Sequence, residues 1–204
     1  MNGAIKVYQQ ALQLDPQNKE IYSALSTAYQ NIQLNSDAIN VLERAIQLFP
    51  TDISLKLKLA QYFISQNNIP EAIDLLDRAI EVDPLNAGVQ LEVARILQSQ
   101  GLLDSAFNAY KLALDLDSSL IDAKVGIAAI NLRREDFLSA IIGYRELAEL
   151  LPNNPDVYYN LGLSLRGRSR MKEAKEAWET SIQLYQLQGD RNAVARVEAL
   201  MKKF

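Results

Sequence analysis

The sequence predicts an all-α protein, a solenoid built from antiparallel helix hairpins. Alanine recurs at intervals of 34 residues, at Ala4, Ala38, Ala72, Ala106, Ala140 and Ala174. Four residues after each alanine stands a large side chain: Tyr8, Leu42, Leu76, Tyr110, Tyr144 and Trp178. A proline or its replacement then closes each unit, at Pro16, Pro50, Pro84, Ser118, Pro152 and Gln186. A fixed interval kept without insertion is typical of units that stack on one another.

Each unit holds two helices. The spacing of four and then three places the alanine and the large residue on one helical face, and the proline ends that helix. Between the proline and the next alanine there is room for a further helix of about a dozen residues. Its eighth place is always small, with Ser26, Ala60, Ala94, Ala128 and Gly162. Because small residues let two helices approach closely, we expect hairpins, with eleven repeat helices and one terminal helix along the chain.

This pattern resembles the tetratricopeptide repeat family, and the resemblance covers nearly the whole chain. The unit "PDVYYNLGLSLRGRSRMKEAKEAWETSIQLY" matches best, with Tyr158, Leu161, Gly162, Ala174 and Trp178 at the family's places. The resemblance implies a superhelix of 34-residue hairpins. Several positions depart from the family pattern, and we expect them to weaken single packing contacts: Lys56, Gln90, Lys124, Asn131, Leu147, Ser118 and Gln186.

The repeat divides the chain into a single array. Residues 1–18 form a half repeat with only the second helix, and residues 189–204 form a capping helix with an apolar face. That face carries Val194, Val197, Leu200, Met201 and Phe204. The full repeats are 19–52, 53–86, 87–120, 121–154 and 155–188. The lone first helix is either a cap or the sign of an excised fragment, and the fragment is the preferred interpretation.

Composition excludes most catalytic chemistry. The 204 residues include no cysteine and no histidine, and no phosphate-binding or dinucleotide-binding glycine loop is present. We therefore expect no enzyme, no cofactor and no metal. Pairs such as Asp115 with Asp117 and Glu135 with Asp136 are interpreted as solvated turns. No apolar run approaches the roughly 20 residues of a membrane span, so we expect a soluble chain, cytoplasmic or peripheral to a membrane.

The charge balance disfavours nucleic acid as a partner. The formal net charge is -4, and residues 1–132 carry 15 acidic against 9 basic residues. Residues 133–204 reverse the sign, with 12 basic against 10 acidic residues. Binding to a phosphate backbone needs an extended positive surface, which this balance does not supply.

The family resemblance implies that the first helices line a concave groove that binds another polypeptide. The groove positions that we select as candidates are Leu57, Gln61, Ile64, Leu91, Arg95, Gln98, Val125, Ala129, Leu132, Arg133, Tyr159, Leu163 and Arg166. Their apolar members either pack between adjacent first helices or anchor a peptide or helix of a partner, and both interpretations have equal weight. No lysine is followed four residues later by asparagine in a first helix, which disfavours a receptor for chaperone tails.

Three further hypotheses concern other surfaces. Arg134, Arg168, Arg170 and Lys172 lie at two hairpin turns. They are either parts of simple solvated turns, which is the preferred interpretation, or a basic patch that docks an acidic partner or an anionic membrane surface. The half repeat would serve as an interface in a self-associating structural module. The tail "QLYQLQGDRNAVARVEALMKKF" is similar to those of cyanobacterial repeat proteins, some of which assist photosystem assembly at thylakoids, so we also consider an assembly factor.

Overall fold

The structure, a computed structural model, describes residues 2–203, and of Asn2 the backbone only. Within these residues there are twelve helices and no strand, which confirms the predicted all-α solenoid class. The chain forms two compact units with a boundary between Ile96 and Leu97. The first unit holds α1 (Asn2–Leu14), α2 (Lys19–Asn31), α3 (Asn35–Leu48), α4 (Ile53–Ser65) and α5 (Ile69–Val82).

Helix α6 (Ala87–Ser99) crosses the boundary between the units. Six further helices lie in the second unit. They are α7 (Leu103–Leu116), α8 (Ile121–Arg133), α9 (Phe137–Leu150), α10 (Pro155–Gly167), α11 (Met171–Gln188) and α12 (Arg191–Met201). Phe204, which the sequence places on the capping face, lies outside the described residues. In each unit the helices pack in chain order, α1 on α2 through to α4 on α5, and α7 on α8 through to α11 on α12.

Close helix contact depends on the small residues that define the repeat. Ala72 in the first unit and Ala140 in the second have at most 1% of their surface exposed. At the eighth place of α10, a Cβ built on Gly162 would lie 2.3 Å from Nε1 of Trp178. The indole therefore rests directly on the glycine backbone, and the large residue of one helix fills the space that the small residue of its partner leaves.

The turn inside every hairpin has a residue in the left-handed backbone conformation at the same position of the repeat. Positive φ angles recur every 34 residues, at Gln33, Asn67, Gly101, Glu135 and Ser169. In the first of these turns the Leu34 amide donates to the Tyr29 carbonyl, and the Gln33 amide donates to that of Gln30. This pair of bonds is a Schellman motif, which ends a helix and turns the chain back.

The turns between hairpins are closed by helix N-caps. Asn18, Asp52 and Asn154 each accept a hydrogen bond from a backbone amide in the first turn of the helix that follows. Such a cap satisfies an amide that has no partner within the helix. Leu120 occupies the same register before α8 and makes no side-chain cap bond, so this boundary lacks the stabilisation of the others.

The end of the array departs from the expected register. We expected Gln186 to end its helix in place of proline, and this prediction is wrong, because α11 continues to Gln188. Glutamine keeps the backbone amide that proline lacks, so nothing stops the helix there. Gly189, with φ of 75°, makes the turn instead, and Asp190 caps α12. The cap lies two residues later than the 34-residue interval from Asn154 predicts.

Candidate functional site

In the first unit the predicted groove residues differ in accessibility. On α4, Leu57 and Ile64 are half-buried and Gln61 is exposed. On α6, Leu91 is buried, so the packing interpretation applies to it. Arg95 is exposed but forms an ion pair with Glu92 one turn earlier on the same helix, at 2.5 Å. An acidic ligand would therefore have to compete with Glu92 for this guanidinium.

A lysine that the sequence did not single out crosses this surface. The Nζ atom of Lys58, on α4, donates to the carbonyl and hydroxyl oxygens of Ser23 at 2.7 Å and to Thr27 Oγ1 at 2.8 Å. Both acceptors lie on the preceding first helix, α2. Burial lowers the pKa of Lys58, because desolvation disfavours the ammonium. The first unit thus holds a cation among neutral oxygen atoms.

Lys56 is buried at the fourth place of α4, where two other repeats carry tyrosine, Tyr22 and Tyr158. Its side chain donates to the Pro50 carbonyl, and in the preceding repeat Tyr22 donates to the Pro16 carbonyl in the same way. Lysine therefore makes the same contact in this repeat as tyrosine makes in the preceding one. Burial lowers the pKa of Lys56 below 10.5, with a smaller contribution from the positive charge of Arg78. Gln90, at this place in the next repeat, is buried, and its Oε1 has no hydrogen-bond partner among the described residues.

Replacing Lys56 with methionine is expected to raise the free energy of unfolding by about 1 kcal/mol at pH 7, because a buried charge is removed. The pKa of Lys56 is lowered in the folded protein, so below that pKa the buried ammonium destabilises the fold. This destabilisation disappears as pH rises towards 10.5, because the lysine in the folded protein then loses its charge. The stability gain should therefore shrink as pH rises through the lowered pKa of Lys56 towards 10.5. Urea unfolding of both proteins across this range measures it, and a gain independent of pH would contradict the assignment.

In the second unit the apolar groove candidates pack partly on the core. Val125 and Leu132 of α8 and Tyr159 and Leu163 of α10 are half-buried against one cluster of buried side chains. Ala129 is half-buried as well, and Arg133 is exposed. These side chains therefore pack on the core and leave part of their surface exposed. The two interpretations offered for them, packing between first helices and contact with a partner, do not exclude each other.

Two polar candidates of the second unit are less available than the sequence indicates. The Tyr110 hydroxyl donates to Gln98 Oε1 at 2.6 Å, so the amide oxygen of Gln98 serves the hairpin rather than the groove. Arg166 is half-buried and has interactions of its own within the protein. The three arginines among the groove candidates, Arg95, Arg133 and Arg166, are therefore not equally accessible.

A network of polar side chains joins α12 to the groove. The guanidinium carbon of Arg196 lies 5.2 Å from the centroid of the Tyr159 ring, and its Nη2 donates to the Tyr185 hydroxyl at 3.4 Å. Tyr185 in turn donates to the Asp156 carboxylate. Burial, followed by the bond to this carboxylate, raises the pKa of Tyr185 to about 12. The 34-residue interval does not predict this network, because the two-residue displacement of α12 changes which residues face α10.

The predicted basic patch is divided by ion pairs. Arg134 pairs with Asp104, and its guanidinium lies 5.1 Å from the Phe107 ring centroid. Arg170 makes two bonds of 2.6 Å to Glu173. Arg168 and Lys172 are exposed. Two of the four predicted cations are therefore neutralised within the chain, and the patch is weaker than its sequence indicates.

The most exposed large apolar side chains of the second unit's helices α7 and α9 were missed as candidates. On α9, Ile142 is 63% and Leu138 is 56% exposed, and on α7, Leu112 is 51% exposed. All three belong to second helices, at places that the hairpin core does not use. A scan of second helices for apolar residues outside the packing register would have found them.

Among residues 2–203 no group of three acidic, histidine or cysteine side chains is placed to hold a metal ion. Within the same residues no helix has the length and apolar character that a membrane crossing requires. The pKa values of Asp117 and Asp136 are lowered by hydrogen bonds from Ser119 and Ser139, as expected of carboxylates at open turns.

Helical hairpins in a constant register define an α-solenoid repeat protein. Family models described as tetratricopeptide repeat and TPR repeat match residues 33–96 and 1–33. The same 34-residue interval continues to Ala174. These matches and the continued interval support a tetratricopeptide repeat protein.

A TPR repeat-containing protein of the cyanobacterium Picosynechococcus sp. is 47% identical over 70 residues, which are 34% of this chain and 18% of that protein. The chain thus spans under a fifth of the relative. The cyanobacterial source of this relative agrees with the similarity of the tail to cyanobacterial repeat proteins.

Solved structures with similar folds share little sequence. MamA superimposes with a TM-score of 0.68 at 17% identity, over 85% of this chain and 94% of MamA. YrrB, described as a TPR protein with an unusual peptide-binding site, gives 0.66 at 14% identity, over 94% and 97%. Yeast Tom70 gives 0.70 at 23% identity, over 96% of this chain and 42% of Tom70. At these identities the likeness concerns the fold alone.

Proposed function

We propose that the protein is a non-enzymatic scaffold and that α8 and α10 of its second unit bind a segment of a partner polypeptide. The observation that carries the proposal is the row of half-buried apolar side chains on these first helices: Val125, Leu132, Tyr159 and Leu163. Their exposed parts provide apolar surface for a partner, and the aliphatic stem of Arg133 extends it. The peptide-binding site described for YrrB occurs in the same fold and supports the proposal.

The bound segment should carry large apolar anchors. Half-buried leucine, valine and tyrosine side chains gain most from a partner that removes their remaining surface from water. Because α8 and α10 pack on one cluster of buried side chains, little order has to be created on this side of the interface. A role in assembling a larger complex, as the similarity of the tail implies, would use the same surface.

The alanine variants Tyr159→Ala and Leu163→Ala test the groove. With a partner identified by affinity capture and then purified, each variant is expected to weaken binding about 10-fold or more, because an apolar anchor is lost. Calorimetry measures the effect. Leu138→Ala and Ile142→Ala, on exposed second-helix positions, are the matched controls and should change affinity less than about twofold.

The controls also identify rival surfaces. A loss of affinity confined to the Leu138 and Ile142 variants would place the partner on the second helix α9 and refute binding in the groove. A loss confined to Arg168→Ala and Lys172→Ala would favour docking on the basic turns. Thermal unfolding of every variant separates lost contacts from lost stability.

Self-association is the second candidate function, and the exposed apolar pair Leu138 and Ile142 favours it. A second copy would cover these side chains in a symmetric contact, in addition to the half repeat that the sequence indicates. Sedimentation equilibrium of the free chain measures the association directly, and a monomer at concentrations around 100 μM would exclude a stable assembly of this kind.

A further inference from the structure

The displacement of α12 gives Arg196 the same position in its helix as Lys58 has in α4. Each is the sixth helical residue, counted from Ile53 in α4 and from Arg191 in α12. In the undisturbed 34-residue register Arg196 would instead take the eighth place, which is small in every full repeat. The longer α11 therefore converts an arginine that would face the hairpin core into one that faces the preceding first helix.

Both cations reach back to groove positions of the preceding first helix. Lys58 bonds to Ser23 and Thr27 of α2, and Arg196 stacks on Tyr159 of α10. Ser23 and Tyr159 hold the same place in their repeats. In each unit the sixth residue of one first helix thus lies over the groove side chains of the helix before it.

Arg196 is held in place and keeps donors to spare. Its guanidinium lies over the Tyr159 ring and donates through one nitrogen to the Tyr185 hydroxyl, and the side chain is exposed. Among residues 2–203 it forms no ion pair, and the carboxylate nearest in the network, that of Asp156, already accepts from Tyr185. A guanidinium has five N–H donors, and stacking on an aromatic ring leaves its edge free for a carboxylate.

We infer that Arg196 is a specificity-determining residue of the groove and that the segment bound there carries an aspartate or glutamate side chain beside its apolar anchors. The inference rests on the proposed function and adds the chemistry of the ligand to it. Because Tyr159 contacts Arg196 and also belongs to the apolar row, one partner residue can bury against the ring while its acidic neighbour pairs with the guanidinium. Pre-positioning by stacking and the Tyr185 bond reduces the entropy lost on binding.

A positional-scanning library of acetylated, amidated peptides tests the inference, because its only carboxylates are those of side chains. The immobilised full chain should select large apolar residues together with aspartate or glutamate at a fixed offset. In Arg196→Gln the acidic preference should disappear while the apolar preference stays. The affinity of the best acidic peptide should fall about 10-fold or more and lose much of its salt dependence.

Two further variants make the result specific. Arg196→Lys keeps the charge without the planar fork and should retain part of the acidic preference. Arg168→Gln removes an exposed arginine at a turn and should leave selection unchanged. Circular dichroism of each variant checks that α12 remains folded.

The outcomes separate the inference from the function on which it rests. An acidic preference that survives in Arg196→Gln, or that Arg168→Gln abolishes equally, overturns the role of Arg196 while the groove stands. Binding that requires a free peptide carboxyl terminus overturns it as well, since the ligand would then be a chain end. If the wild-type chain selects no apolar residues, the proposed function fails, and the inference fails with it.

Discussion

Replacing Trp178 with alanine is expected to lower the free energy of unfolding by about 3 to 5 kcal/mol. Its side chain is fully buried in the second unit, at the centre of the cluster formed by α8 to α12. Its Nε1 donates to the Tyr159 carbonyl at 3.1 Å, so the substitution removes a partly buried hydrogen bond as well as the largest fully buried side chain. The expected loss is a large fraction of the stability of a domain.

Urea unfolding followed by circular dichroism measures this loss, because Trp178 is the only tryptophan and its fluorescence disappears with it. Glu179→Ala, on the exposed neighbour in α11, is the matched control and should stay within about 0.5 kcal/mol of the wild type. A loss below about 1 kcal/mol for Trp178→Ala would mean that the second unit is not organised around this residue.

Gly162→Ala is expected to cost about 1 to 3 kcal/mol, although alanine is the better helix former. The added Cβ would stand 2.3 Å from Nε1 and 2.5 Å from Cδ1 of Trp178. The bulky indole cannot turn away without breaking its bond to Tyr159, so the helices α10 and α11 must move apart. The cost therefore comes from packing and not from the backbone of α10.

A double-mutant cycle with Trp178→Leu isolates this collision. In the leucine background the added methyl group should cost nothing or stabilise by up to about 1 kcal/mol, since the indole is absent and helix propensity alone remains. Gly3→Ala is the control on a helical glycine whose Cβ would meet nothing within 4 Å. Additive losses in the cycle would show that Gly162 is required for another reason.

Most of the helical framework can be predicted from the sequence, because the same pattern of small and large residues recurs in every repeat. Alanine at one place and a large residue four positions later specify a helical face, and a small residue on the partner helix specifies close approach. Trp178 over Gly162 and Ala140 at full burial are the expected results of that pattern. Substitutions such as Lys56 leave the hairpin intact, since lysine can reach the carbonyl that tyrosine reaches elsewhere.

The candidate site is harder to predict from the sequence, because the position of a residue in the repeat does not determine how much of its side chain is exposed. Leu91 and Leu163 are both groove positions, yet Leu91 is buried and Leu163 is half-buried, which depends on the side chains of neighbouring helices. Arg134 and Arg170 were predicted to be available and instead pair with Asp104 and Glu173. Pairing across 30 residues or across one turn is a choice among rotamers, which periodicity does not encode.

Arg196 shows a further limit of periodicity. The missing proline at Gln186 is visible in the sequence, but the number of extra residues that α11 would gain is not. Gly189, in the left-handed conformation, sets that number. A helical turn contains about 3.6 residues, so a displacement of two residues rotates the face of α12 by roughly 200°.

The left-handed turn inside every hairpin bears on how the chain folds. Its hydrogen bonds join residues three and five apart in sequence, so each chain reversal is encoded within a few residues of itself. Contacts this local require little loop-closure entropy, and proteins dominated by them fold on the order of microseconds to milliseconds. A hairpin of either unit can therefore act as a nucleus from which ordering spreads to its neighbours. Damage to one turn would slow folding locally and leave other starting points available.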